Sequence, residues 1–206
     1  MDKLCHLPLA TRLPMLRLFI SAHLTPDLLA AIGDVQARLK RQLTGLPLAW
    51  TRPEGIHLTL KFLGDTDPRR VDDIVAGLEN AVASHRPFTI AVAGLGCFPN
   101  LRQPNVIWVG VQDPDRALRR LAAAVDAATA RQGWEEETRP FSGHLTLARV
   151  KREAGHAERR AIGEQVGHFP LPDPLGLLPI ASLHLMRSEL KPGGSIYTEL
   201  AAAPLA

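Results

Sequence analysis

Four side chains in this sequence could do chemistry together: His57 and Thr59 in one stretch, His144 and Thr146 in another. The first stretch reads Thr51-Arg52-Pro53-Glu54-Gly55-Ile56-His57-Leu58-Thr59-Leu60. The second reads Thr138-Arg139-Pro140-Phe141-Ser142-Gly143-His144-Leu145-Thr146-Leu147. They share seven of ten positions and lie 87 residues apart. Histidine titrates near pH ~6.5, so one imidazole can be a neutral base while another is a protonated acid. Set on opposite sides of a phosphorus, one would take a proton from an attacking water and the other would protonate the departing oxygen. Each such group supplies on the order of 10²–10⁴ in rate. Threonine hydroxyls two residues away can donate to the non-bridging oxygens, where charge builds up. A duplicated fold explains a repeated apolar pattern. It does not explain why outward-facing positions repeat as His and Thr.

The elements that carry these residues read as strands, because Leu alternates with the polar residues and successive strand side chains point to opposite faces. In the first copy Ile56, Leu58, Leu60 and Phe62 then face one way, and His57, Thr59 and Lys61 the other. In the second, Leu145 and Leu147 are buried while His144 and Thr146 face out. If the two halves are related by an approximate twofold axis, their polar faces meet across a cleft. By the same parity Phe62 and Arg149, each five residues after its histidine, fall on the opposite face. Core packing accounts for Phe62. Arg149 either caps the strand end towards solvent or bends round to the cleft as a phosphate clamp. Lys61 shares the His57 face and is either solvated or a phosphate ligand. His6, His23, His85, His156, His168 and His184 have no partner pattern and read as surface or structural residues.

The bulk numbers narrow the class. A chain of 206 residues, 46% hydrophobic and 22% charged, can bury a substantial core as one domain or two closely packed lobes. A net charge of +3 is too small for a bulk electrostatic nucleic-acid binder. Cys5 and Cys97 are the only cysteines, with no metal-like spacing and no disulfide framework. Residues 13–24 are apolar but interrupted by Pro14, Arg17 and His23, too short to span a membrane and without a signal-peptide cleavage pattern. A cytoplasmic, monomeric protein is expected. No set of convergent metal ligands is visible, so neither metal nor cofactor is expected.

In chain order, residues 1–14 read as a loose leader and Met15 to Leu24 as a first strand. Thr25-Pro26 opens a helix to about Gln42, with Thr as N-cap and Pro in the first turn. The first motif strand runs His57 to Leu63. Gly64 to Pro68 reads as a turn into a helix ending near Ser84. Strands follow at Phe88–Leu95 and Val106–Val111, then a helix from Asp113 to about Gln132. The acidic run Glu135-Glu136-Glu137 reads as a solvated loop. The second motif strand spans His144 to Val150, followed by a charged helix over Lys151–Val166. Leu171 to Pro179 reads as a Pro-rich connector. Ala181–Leu190 and Ile196–Leu200 form a closing hairpin around Pro192-Gly193-Gly194. The expected architecture is α+β: one bilobal unit of two pseudo-symmetric lobes, each a mainly antiparallel sheet backed by helices, with the cleft between them.

The two His-Leu-Thr-Leu segments resemble the paired HxTx motifs of the two-histidine (2H) phosphoesterase superfamily. The extended forms, His57-Leu58-Thr59-Leu60-Lys61-Phe62-Leu63-Gly64-Asp65 and His144-Leu145-Thr146-Leu147-Ala148-Arg149, resemble its RNA 2′,3′-cyclic phosphodiesterase branch (LigT/ThpR type, once described as 2′–5′ RNA ligase). The likeness runs from Arg17-Leu18-Phe19-Ile20 to the strand of Tyr197, and residues 1–14 exceed the usual family start. It implies metal-independent hydrolysis of an RNA 2′,3′-cyclic phosphate end, tRNA fragments among the candidates, to a 2′-phosphomonoester. It also implies His57 as proton donor, His144 as the base on water, Thr59, Thr146 and Arg149 as phosphate ligands, and Phe62 near the nucleobase. Spacing alone leaves the two histidines interchangeable. A small cyclic phosphate, reversible 2′–5′ RNA ligation, and a non-catalytic RNA-end binding module stay open beside it.

Overall fold

The computed structural model describes residues 14–191 and 194–206. The expected leader therefore lies outside the described residues apart from Pro14, as do Pro192 and Gly193 of the closing turn.

Among the described residues, nine strands are interspersed with four α-helices along the chain. β1 (Leu16–Ala22) leads into α1 (Pro26–Gln42), where the Thr25 hydroxyl accepts the Leu28 N–H at 3.3 Å and Pro26 occupies the first turn. α1 buries Leu28, Ile32, Val35 and Leu39, one face at helical spacing. β2 (Leu48–Trp50) and β3 (Leu58–Thr66) precede α2 (Val71–Val82). β4 (Phe88–Phe98) and β5 (Val106–Gln112) precede α3 (Ala117–Arg131), which buries Leu118, Leu121, Ala122, Val125 and Ala128. Then come β6 (His144–Val150), α4 (His156–Gly167), β7 (Gly176–Ile180), β8 (Ser182–Lys191) and β9 (Gly194–Pro204).

The strand pairings among the described residues are all antiparallel, in the order β7-β4-β5-β6-β3-β1-β8-β9, with β2 also on β6. The order reads the same from either end when β3 is exchanged for β6, β1 for β5, β8 for β4 and β9 for β7. Its centre is a single pair, Leu58 opposite Leu145. These are the same position of the two sequence motifs, so the pseudo-twofold axis passes through one residue pair. The architecture is α+β, two antiparallel half-sheets that meet at this narrow joint. α2 and α3 cover the β3-β1-β8-β9 half, while α1 and α4 cover the other. α1 follows β1 and α3 follows β5, so each half-sheet is covered by one helix that emerges from its partner.

Several boundaries differ from the sequence reading, each for a local reason. β3 does not turn at Gly64; Gly64 takes φ +67 and the strand runs on to Thr66. α2 is preceded by a 3₁₀ turn at Pro68–Arg70, capped where the Asp67 carboxylate accepts the Arg69 N–H at 3.0 Å. The supposed connector Leu171–Pro179 runs into β7 from Gly176 onward, an edge strand on β4, where Pro179 can stand with no ladder hydrogen bond to give. α4 starts only at His156, where the Glu158 carboxylate accepts the Gly155 N–H at 2.7 Å. The acidic run is an exposed loop, as its composition implies. No described helix is long and apolar enough to cross a membrane.

Candidate active site

The geometry of the site follows from one irregularity that occurs twice. On β3, Thr59 lies opposite Ser21 and Lys61 opposite Ile20, which leaves Leu60 as an extra residue. On β6, Thr146 lies opposite Trp108 and Ala148 opposite Ile107, which leaves Leu147 as an extra residue. The two bulges fall at the same motif position. An extra residue in a strand resets the alternation of faces beyond it. Phe62 and Arg149 therefore return to the histidine face, and Lys61 and Ala148 turn to the helix side.

This corrects three parity expectations. Phe62 is not core: it is 65% exposed, with its ring 6.1 Å from that of Phe19 on the histidine face. Arg149 is exposed, and the bulge returns its strand position to the His144 face without any bend of the side chain. Lys61 is 9% exposed, ion-paired to Asp126, and donates to the Glu135 carbonyl at 2.6 Å. It ties β3 to α3 and the following loop, away from the cleft.

His57 and His144 are held in the same way. His57 Nδ1 lies 2.9 Å from the Gly55 carbonyl and His144 Nδ1 lies 2.8 Å from the Ser142 carbonyl. A carbonyl can only accept, so each Nδ1 carries the proton and each neutral ring leaves Nε2 as its free base. Continuing the Leu58–Leu145 register by one residue sets His57 towards Thr146 and Thr59 towards His144. The four residues singled out in the sequence thus flank the joint of the two half-sheets. Gln36 of α1 braces it from behind, donating to the Thr51 carbonyl at 2.7 Å and to the carbonyl of the bulge residue Leu147 at 3.0 Å.

The surroundings break the symmetry. Phe19 stacks on His57 at 4.7 Å and Tyr197 meets it edge-on at 5.0 Å. Gly55 admits that tyrosine, since a Cβ there would stand 3.1 Å from its ring. Burial pushes the His57 imidazolium down to about 4; the Gly55 carbonyl opposes this, and the nearby His23 and His144 add to it. His144 instead meets Phe98 edge-on at 4.8 Å. Burial raises the Cys97 thiol to about 12, so it stays protonated at neutral pH.

Phe19, Phe98 and Tyr197 were not picked out as site residues in the sequence. The structure also brings together His23, His184 and Glu199, although those histidines read as isolated; their ligand atoms all lie within 4.8 Å of one another. His23 follows β1, far along the chain from the β8–β9 hairpin that carries His184 and Glu199, and no spacing signals the set.

Comparison with known proteins agrees with the fold and its internal duplication. The family model "LigT like Phosphoesterase" matches twice, over residues 24–108 and 109–197. An RNA 2′,3′-cyclic phosphodiesterase of Methanothermobacter thermautotrophicus is 32% identical over 187 residues, covering 89% of this chain and 96% of that protein. One from Thermus thermophilus is 30% identical over 193 residues, covering 90% and 88%. Among solved structures, the apo form of E. coli LigT superposes with a TM-score of 0.70 at 26% identity, covering 94% of this chain and 99% of that one. A Thermus thermophilus protein of known structure superposes with a TM-score of 0.74 at 28% identity, covering 92% and 97%.

Proposed function

Since the chain belongs to the LigT-like phosphoesterase family, we propose that it hydrolyses RNA 2′,3′-cyclic phosphate ends to 2′-phosphomonoesters, with His57 as acid, His144 as base and no metal in the chemical step. The observation that carries this reading is the pair of Nε2 atoms, presented by the same backbone device on either side of the joint. The names of relatives at about 30% identity supply the substrate class.

The cyclic phosphate sits over the Leu58–Leu145 joint. Water approaches phosphorus on the His144 side and loses a proton to Nε2 as its oxygen bonds to phosphorus. The P–O3′ bond breaks and O3′ takes the Nε2 proton of the His57 imidazolium. The product is a 2′-phosphate with a free 3′-hydroxyl, and exchange with solvent resets both rings. The Thr59 and Thr146 hydroxyls and the Arg149 guanidinium hold the non-bridging oxygens. Phe62, exposed beside Phe19, offers a face for the terminal base.

The aromatic surroundings of His57 bear on the acid role. Free His57 is neutral above about pH 4. The substrate's negative charge favours the imidazolium and raises that value, so the acid is charged chiefly when a phosphate is bound.

The test is incubation of a short RNA ending in a 2′,3′-cyclic phosphate with excess EDTA, followed by mapping of the phosphate, alongside a mononucleotide 2′,3′-cyclic phosphate. A 2′-phosphate on the RNA is the expected product. A 3′-phosphate would reverse the direction of ring opening, and RNA bound without turnover would leave a binding module. Turnover of the mononucleotide alone would move the assignment to a small cyclic phosphate. The direction of proton transfer has its own test, because sulfur in place of the bridging O3′ leaves without a proton. Such a substrate should rescue His57→Ala and not His144→Ala.

A further inference from the structure

Three side chains that this mechanism does not use meet on the histidine face of the sheet, His184 two strands from Thr59. In register across the sheet, Thr59 lies beside Ser21 and Ser21 beside His184. One step along, Phe19 lies beside Met186 and Met186 beside Glu199. His23 follows β1 immediately, and its ring stacks on that of His184 with centroids 3.8 Å apart and planes 9° apart. Both Nδ1 atoms address one oxygen. Glu199 Oε2 lies 3.0 Å from His184 Nδ1 and 3.7 Å from His23 Nδ1. The second ring nitrogen of His184, Nε2, lies 2.9 Å from the Ser182 hydroxyl.

We propose that His23, His184 and Glu199 form a binding site for a borderline divalent transition-metal cation of the Zn²⁺ class. Two imidazoles and one carboxylate are a donor set that such ions take, whereas Mg²⁺ and Ca²⁺ favour oxygen alone. Zinc bonds of ~2.0–2.2 Å in tetrahedral array set ligand atoms about 3.4 Å apart. The separations of 3.0 and 3.7 Å straddle that spacing. With Nδ1 on the ion, the Nε2–H of His184 donates to Ser182, the outer hydrogen bond that commonly fixes a metal-bound histidine. Stacked rings send their lone pairs out in parallel, so one ring must turn to share an ion. His23 can do so, being 43% exposed and outside any strand, while His184 is 13% exposed and held by Ser182. Three protein ligands leave a fourth position for water or an anionic oxygen. Neither His57 nor His144 belongs to the set, so the ion is separate from the proton transfers.

The test titrates ZnCl₂ into the full chain after EDTA stripping and desalting, by calorimetry or against a chromophoric chelator. One ion per chain is expected. His23→Ala, His184→Ala and Glu199→Gln should each abolish stoichiometric binding while leaving circular dichroism unchanged. Ser182→Ala should weaken binding by about 10–100-fold. A Cys5→Ser/His6→Ala variant should keep the ion, and MgCl₂ should not compete for it. The proposal is overturned if the unaltered chain takes up no stoichiometric Zn²⁺. It is equally overturned if all three ligand variants retain the ion, if the Cys5/His6 variant loses it, or if Mg²⁺ binds equally well. Because the hydrolysis assay runs in EDTA, failure here and failure of the phosphodiesterase reading are distinguishable.

Discussion

Burial of His57 between Phe19 and Tyr197 makes folding stability depend on pH in a way that one substitution can isolate. The imidazolium falls from the ordinary ~6.5 to about 4 in the folded chain. The unfolded chain therefore binds the proton more readily, and stability is lost as pH falls from about 6.5, levelling off below about 4. With those two values the loss works out at about 2 kcal/mol at pH 5 and about 3 at pH 4, against almost nothing at pH 7.5. His57→Asn keeps a donor for the Gly55 carbonyl and removes the titration. The assay is urea unfolding of both proteins at pH 7.5 and pH 5. Groups remote from the site are present in both chains and cancel in the difference, while the smaller coupling of His57 to His23 and His144 is part of what the substitution removes. The variant should gain about 2 kcal/mol relative to the wild type between the two pH values. Parallel pH dependences would mean that His57 is not held neutral by its surroundings, and the argument that substrate must bring its charge would fall.

The remaining predictions concern residues that brace or line the cleft. Gln36→Leu strips one donor from the Thr51 and Leu147 carbonyls and should cost roughly 1–3 kcal/mol in urea unfolding. Lys61→Met, away from the cleft, should leave kcat/KM within a few-fold of wild type while lowering stability by roughly 1–3 kcal/mol; a hundredfold loss of turnover would return Lys61 to the phosphate. Phe62→Ala should weaken the RNA substrate by about 1–3 kcal/mol in kcat/KM if the terminal base stacks there, and equal rates in a competition assay would remove that role.

How much of this was legible in the sequence depends on the range of the interactions involved. The paired motifs are local strings, and they announced a duplicated α+β fold and the four central side chains. Thr25-Pro26 announced the start of α1 for the same reason. Parity failed at Leu60 and Leu147 because a bulge is a property of two strands in register. The adjacent apolar pair Leu147-Ala148 was its only trace, and in the first copy Lys61 masked it by pairing with Asp126. Helix exchange left no local mark, since α1 and α3 each find their sheet only in the assembled molecule. The same holds for His23, His184 and Glu199, and for the aromatic surroundings of His57. Pro179 misled in the opposite direction, since its ring fits an edge strand as well as a connector.

The central claim is that the two imidazoles act as one acid–base unit on a single phosphate. It is tested most directly by measuring cyclic-phosphate hydrolysis in EDTA for His57→Ala, His144→Ala and the double variant, each confirmed folded. Each single change should lower kcat/KM by on the order of 10²–10⁴. Groups that act as a unit are grossly non-additive, so the double variant should be little worse than the poorer single one. Either single variant within tenfold of wild type would contradict the account, and so would a double loss equal to the product of the two.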